Sequence, residues 1–148
     1  MSKAEKAGEL FEMGYNCAQS VACAFQNEVG LTEGDILRAT AAMGGGVSKM
    51  REVCGCVLGI AFVLGAVEGT FPAKDRESKG RLYGNVQNLA DLFKAEYGSV
   101  VCAELLGIKR DGSSMPSERN AEYKKRPCKE MVMKAAEILD TYFKEKES

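Results

Sequence analysis

Apolar side chains recur at intervals of three and four along most of the chain, the spacing of one helical face. Ala4, Ala7, Leu10 and Phe11 form a first stripe, and Ala18, Val21, Ala22 and Phe25 form a second. Between them "MGYNC" offers Gly14 as a helix stop and Asn16 as an N-cap, which puts Cys17 in the first turn of the second helix. "NEVGLTEGD" breaks the chain at Gly30 and Gly34, a short helix is predicted from about Ile36 to Met43, and "GGGVS" breaks it again. The glycine triplet 44–46 lacks both the P-loop Lys-Ser/Thr and a strand-to-helix G-x-G-x-x-G setting, so it reads as a connector.

From Val53 to Val67 every residue is apolar or small, a run shorter than the roughly 18 to 20 residues that span a bilayer. It predicts a buried core helix, beginning after Ser48 or nearer Glu52. Gly55 and Gly59 lie one turn apart on it and would let another backbone approach closely. From about Glu77 to Tyr97 a further amphipathic helix is predicted by Leu82, Val86, Leu89, Leu92 and Phe93. "YGSVVCAELLG" stops at Gly98 and restarts with Ser99, whose hydroxyl would cap a short helix carrying Cys102 at its third position. "KRDGSSMPSERNAEYKKR" reads as a long exposed loop. "RPCKEMVMKAAEILDTYF" puts Pro127 at a helix N1 with Cys128 directly after it. With no period-2 strand and no repeat, the pattern predicts an all-α fold, a compact bundle of about five to seven helices around a central apolar helix. At 148 residues a single domain over 1–148 is expected.

Charge narrows the partners. Lys plus Arg number 20 and Asp plus Glu 21, for a net charge of -1, which gives no electrostatic case for nucleic acid or an anionic membrane surface. The charged N-terminus "MSKAEKAGELFEMG" has no apolar signal region, so a cytoplasmic protein without membrane insertion is expected.

The chemistry lies in six cysteines. Cytosolic thiols are kept reduced, so a cysteine-rich cytosolic chain is more often metal-binding or catalytic than disulfide-bonded. The absence of histidine removes Ser-His-Asp and Cys-His systems and every mixed Cys/His zinc site. Cys17, Cys54, Cys102 and Cys128 all fall at or near predicted helix starts, where unpaired N–H groups and the positive end of the helix dipole favour thiolate over thiol. If those starts converge, they form a sulfur-lined site suited to an iron-sulfur cluster or another soft metal. Cys23 follows Cys17 by six positions, a rotation of about 240°, and reads as a small core side chain. Cys54 and Cys56 would differ by about 200° if one helix held both, so only one of them could join the cluster; packing is favoured for Cys56. Met131, Met133 and the scattered carboxylates have ordinary packing and solvation readings.

Four segments together give the chain a resemblance. "GYNCAQSV", "MGGGVSKMREVCGCVLG", "EYGSVVCAELLG" and "RPCKEMV" resemble the redox-active protein family named for its C_GCAxxG_C_C pattern, over nearly the whole sequence. The resemblance implies four characteristic cysteines at Cys17, Cys54, Cys102 and Cys128, a redox role with an iron-sulfur or similar metal centre, and relatives linked to oxidoreductase or transporter functions. Where the family commonly has alanine, Cys56 stands, which leaves open a fifth ligand, a resolving thiol or a bystander.

Three functions follow as expectations. The first is a redox module that binds an iron-sulfur cluster through Cys17, Cys54, Cys102 and Cys128 for electron transfer or redox sensing, working with a redox partner protein. The second is a thiol-disulfide oxidoreductase in which Cys54 attacks and Cys56 or another helix-start cysteine resolves. The third is a metal-free or zinc-stabilised helical interaction domain with a homodimer contact.

Overall fold

The computed structural model describes residues 1–108 and 128–147, all of whose regular elements are helices. The expected loop over 109–126 and Pro127 lie outside the described residues. In order, the helices are α1 (Lys3–Glu12), α2 (Cys17–Ala24), α3 (Gln26–Val29), α4 (Glu33–Thr40), α5 (Gly44–Val47), α6 (Gly55–Glu68), α7 (Arg76–Tyr97), α8 (Cys102–Leu106) and α9 (Cys128–Glu147). The all-α expectation holds, and no described helix is long and apolar enough to cross a membrane.

The central element is α6, as the apolar run predicted. Cys56, Val57, Ile60, Val63 and Leu64 are buried on it, and α2, α7 and α9 pack around it while α1 closes over α2 and α9. Two of its glycines, Gly55 and Gly59, set the closest approach. A Cβ on Gly59 would lie 2.8 Å from Val21 Cβ, and one on Gly55 would lie 3.1 Å from Cys17 Cβ and 3.2 Å from the Ala18 nitrogen. Helices α2 and α6 therefore touch backbone to side chain, and that contact draws the first turn of α2 onto the first turn of α6. At the other end of α6, Glu68 accepts hydrogen bonds from Asn85 on α7 at 3.1 Å and from Tyr142 and Lys146 on α9.

Side-chain caps explain where the helices begin. Ser2 with Glu5 and Asn16 with Gln19 form reciprocal capping boxes at α1 and α2. Helix α4 starts at Glu33, earlier than predicted, because Thr32 Oγ1 accepts the Asp35 N–H at 3.1 Å. Ser48 does not cap α6; that place is taken by Cys54, whose sulfur accepts the Cys56 N–H. Ser99 likewise leaves the capping position of α8 to Val101 and accepts the Val101 N–H, so Cys102 becomes the first residue of its helix rather than the third. On α7 the predicted stripe is narrower than its leucines suggested. Leu89 and Phe93 are buried, whereas Leu92, 100° around the helix from Phe93, is 55% exposed.

Candidate functional site

The site is built where four helix starts meet. Cys17 opens α2, Cys54 caps α6, Cys102 opens α8 and Cys128 opens α9. All four line one cavity of about 30 Å³, together with Gly45, Gly46, Arg51, Gly55, Leu105, Leu106 and Met131. The convergence expected from separate helix-cap signals is thus realised across residues that dozens of positions separate.

Two devices bring the sulfurs together. The first is the Gly55 contact, which presses Cys17 against the start of α6. The second is an isolated antiparallel bridge between Val53 and Val101, each directly before its cysteine. Its backbone bonds run from Cys54 N–H to the Val100 carbonyl at 2.8 Å and from Cys102 N–H to the Glu52 carbonyl at 2.6 Å. Cys54 and Cys102 consequently leave the same bridge side by side.

The glycine triplet is a wall of the site rather than the connector its composition suggested. Gly45, Gly46, Val47, Ser48, Lys49 and Arg51 all have left-handed backbone, with φ of 70, 69, 64, 50, 66 and 60°. A Cβ on Gly46 would lie 2.6 Å from Cys102 Cβ, and one on Gly44 would lie 2.5 Å from Asn16 Cβ. Only glycine allows this turn to lie so close against two of the cysteine-bearing segments. The non-glycine residues hold an unfavourable conformation that costs about 1–2 kcal/mol each, offset by bonds such as Arg51 N–H to Gly45 carbonyl at 3.1 Å and Glu52 N–H to Gly46 carbonyl at 2.9 Å.

That turn delivers Arg51, which sequence reasoning missed. Its side chain is 3% exposed and its Nη1 donates to Cys102 Sγ at 3.7 Å, a cation held at the wall of the thiol cavity. Burial pushes the Cys102 thiol up, and the Arg51 hydrogen bond and charge oppose that rise. Met131 was also missed as a site residue: α9 turns it into the cavity one turn after Cys128. Arg51 lies three residues before Cys54 and Met131 three after Cys128, spacings that carry no signal without the fold.

Cys56 is a core side chain, as expected, and its thiol also meets the site cysteines. Because Cys54 caps α6 in extended backbone, φ -56° and ψ 137°, the 200° separation does not apply, and the Cys56 thiol faces both Cys17 and Cys54. Cys56 holds its proton far above the ordinary thiol range, through hydrogen bonding to Cys17 and Cys54 and through complete burial. Cys54 shifts the other way: the Cys56 thiol donates to it, and the Cys56 and Val57 N–H groups add to the stabilisation against the opposing effect of burial. Cys23 stays the core side chain it was expected to be, 3% exposed and outside the cavity, its pKa pushed up to about 11 by burial.

The donor set fits a soft, anionic group: four thiols, helix-start N–H groups, a guanidinium and an apolar surround of Leu105, Leu106 and Met131. Among the described residues no three Cys, Asp or Glu are grouped so as to hold a single metal ion. The free volume, room for about one or two waters, takes a larger group only as the thiols and the Leu105 and Leu106 side chains turn outward.

Compared with known families, residues 15–142 match the one described as "Putative redox-active protein (C_GCAxxG_C_C)". No curated protein and no solved structure matches the chain.

Proposed function

The chain belongs to the C_GCAxxG_C_C family of redox-active proteins, and from that premise we propose that its thiol cavity holds an iron-sulfur cluster for electron transfer or redox sensing. The ligands are Cys17, Cys54, Cys102 and Cys128. The observation that carries this reading is the meeting of these four cysteines, and of neither Cys23 nor Cys56, at the lining of one cavity.

Each part of the surround has a task. The starts of α2, α6, α8 and α9 bring positive helix ends to the sulfurs, the Cys56 N–H donates to Cys54 Sγ, and both lower the cost of several thiolates in a small volume. Arg51 adds a full positive charge at the same wall. Leu105, Leu106 and Met131 exclude water, which strengthens every charge interaction inside. A cluster bound there supplies one-electron chemistry at a potential set by net charge, sulfur hydrogen bonds and solvent exposure.

Substitution tests the ligand set. In protein purified without oxygen, Cys17→Ser, Cys54→Ser, Cys102→Ser and Cys128→Ser are each expected to lose most of their iron, and Cys23→Ser to retain it. Equal iron content across all five variants removes the assignment.

A second reading is favoured by the Cys54–Cys56 pair. The Cys54 thiol is shifted down by a donated Cys56 hydrogen bond while Cys56 holds its proton, the asymmetry that an attacking and a resolving thiol require. Metal-free protein whose thiols titrate as a redox pair would move the assignment to thiol-disulfide exchange at that pair.

A further inference from the structure

Beside the thiol cavity lies a second hollow of about 380 Å³, open to solvent and lined by Tyr15, Asn16, Cys17, Ser48, Lys49 and Arg51 with small residues between them. It shares Cys17, Gly45 and Arg51 with the thiol cavity, so the two meet at those residues. Its charge is one-sided. Among the described residues the lining includes two cations and no carboxylate, and both cations gather at one glycine: a Cβ on Gly45 would meet Lys49 Cγ at 3.0 Å and Arg51 Nη1 at 3.8 Å. Such a cleft favours a small anion.

The cleft also selects one sulfur. Of the six cysteines, five are buried and Cys17 alone is half-buried, and Cys17 is the one in the cleft wall. Next to it, fully buried, is the Cys56 thiol, whose proton Cys17 helps to hold. A sulfur reachable from solvent, a buried second sulfur next to it and the exposed Lys49 in the same cleft wall form the set.

We propose that this cleft binds a small anionic disulfide, which exchanges with Cys17 and is resolved by Cys56. The Cys17 thiolate attacks one sulfur of the ligand; the ligand S–S bond breaks, a Cys17–ligand mixed disulfide forms, and the other half leaves as a thiolate. Cys56 then passes its proton to the Cys54 sulfur to which it donates and attacks the Cys17 sulfur, displacing the second half and forming a Cys17–Cys56 disulfide. Two protein thiols are oxidised, one ligand disulfide is reduced to two thiols, and the two protons released by the protein end on the departing thiols. Lys49, exposed in the cleft wall, holds a ligand carboxylate throughout. The reaction belongs to the chain without a cluster, since Cys17 serves one role at a time, and it does not depend on whether a cluster is ever bound.

The test uses the full-length chain, reduced and shown to be iron-free, with glutathione disulfide as anionic probe and hydroxyethyl disulfide as its neutral counterpart. Intact mass and peptide mapping are read together. The unsubstituted chain is expected to form the Cys17–Cys56 crosslink and to release two glutathione molecules. Cys56→Ser and the smaller Cys56→Ala are each expected to stop at one glutathionyl group on Cys17. Lys49→Gln, at an exposed position, should slow the anionic probe by about threefold or more and leave the neutral one unchanged, an effect lost at high salt. First modification at any cysteine other than Cys17, or equal slowing of both probes by Lys49→Gln, overturns the proposal. Because iron is quantified separately, failure here and failure of the cluster reading are distinct results.

Discussion

Single residues show how differently six identical thiols behave in one small protein. Cys23 keeps its proton because burial forbids the charge, and its folded pKa of about 11 stands above the ordinary 9.0. The stability consequence has a definite sign. The unfolded chain sheds this proton first, so the contribution is complete below pH 9 and is lost as pH climbs toward about 11. Urea midpoints measured across that window should fall, and Cys23→Ala should flatten the part of the fall that this thiol causes. The same burial predicts that iodoacetamide at pH 8 leaves Cys23 unlabelled in the folded chain and labels it on unfolding. At the N-cap of α2, Asn16 satisfies the Gln19 N–H at 2.8 Å and also donates to the Ala41 carbonyl at 3.1 Å. Asn16→Ala is expected to cost about 1 kcal/mol or more in a urea titration and to weaken cofactor retention, since it loosens the turn that carries Cys17.

At the scale of elements, the glycines separate packing from flexibility. Gly59 sits where α2 and α6 touch, and a methyl group there meets Val21 at 2.8 Å. Gly84, on α7, would place its methyl in open space. Gly59→Ala is therefore expected to destabilise by about 1–3 kcal/mol, and Gly84→Ala to stabilise by about 0.5–1 kcal/mol through helix propensity. Urea denaturation of the two variants checks the contrast, and a similar effect in both would contradict the packing described for α6. What could be read from the sequence divides along the same line. The start of α2, the apolar centre of α6 and the close-approach role of Gly55 were legible because caps, apolar runs and glycine spacing act within a few residues. The start of α8 was displaced because Ser99 serves the Val101 N–H. The left-handed turn at 45–51 and the Val53–Val101 bridge were not legible, for both depend on a partner segment about fifty positions away. Without the bridge, Arg51 and Cys56 looked like ordinary side chains.

Across the whole molecule, the fold gathers helix starts at one end and anchors the other end through Glu68, which joins α6, α7 and α9. Such a bundle concentrates positive helix ends and backbone donors around sulfur, an arrangement that costs free energy when the cavity lacks a negative occupant. Loading the site is accordingly expected to stabilise the folded chain, seen as a thermal midpoint that rises with iron and sulfide content and returns on treatment with a chelator. The family match over 15–142 spans all four cysteines that line the cavity.

The measurement that tests the central claim most directly is iron, zinc and acid-labile sulfide analysis of the chain purified without oxygen, with its visible absorption spectrum. Iron and sulfide in stoichiometric ratio with charge-transfer bands, reduced by each of the four cavity-cysteine substitutions, is the result predicted. Protein containing no iron and no sulfide, with thiols that titrate as redox pairs, would contradict the cluster and leave exchange chemistry as the function of the site.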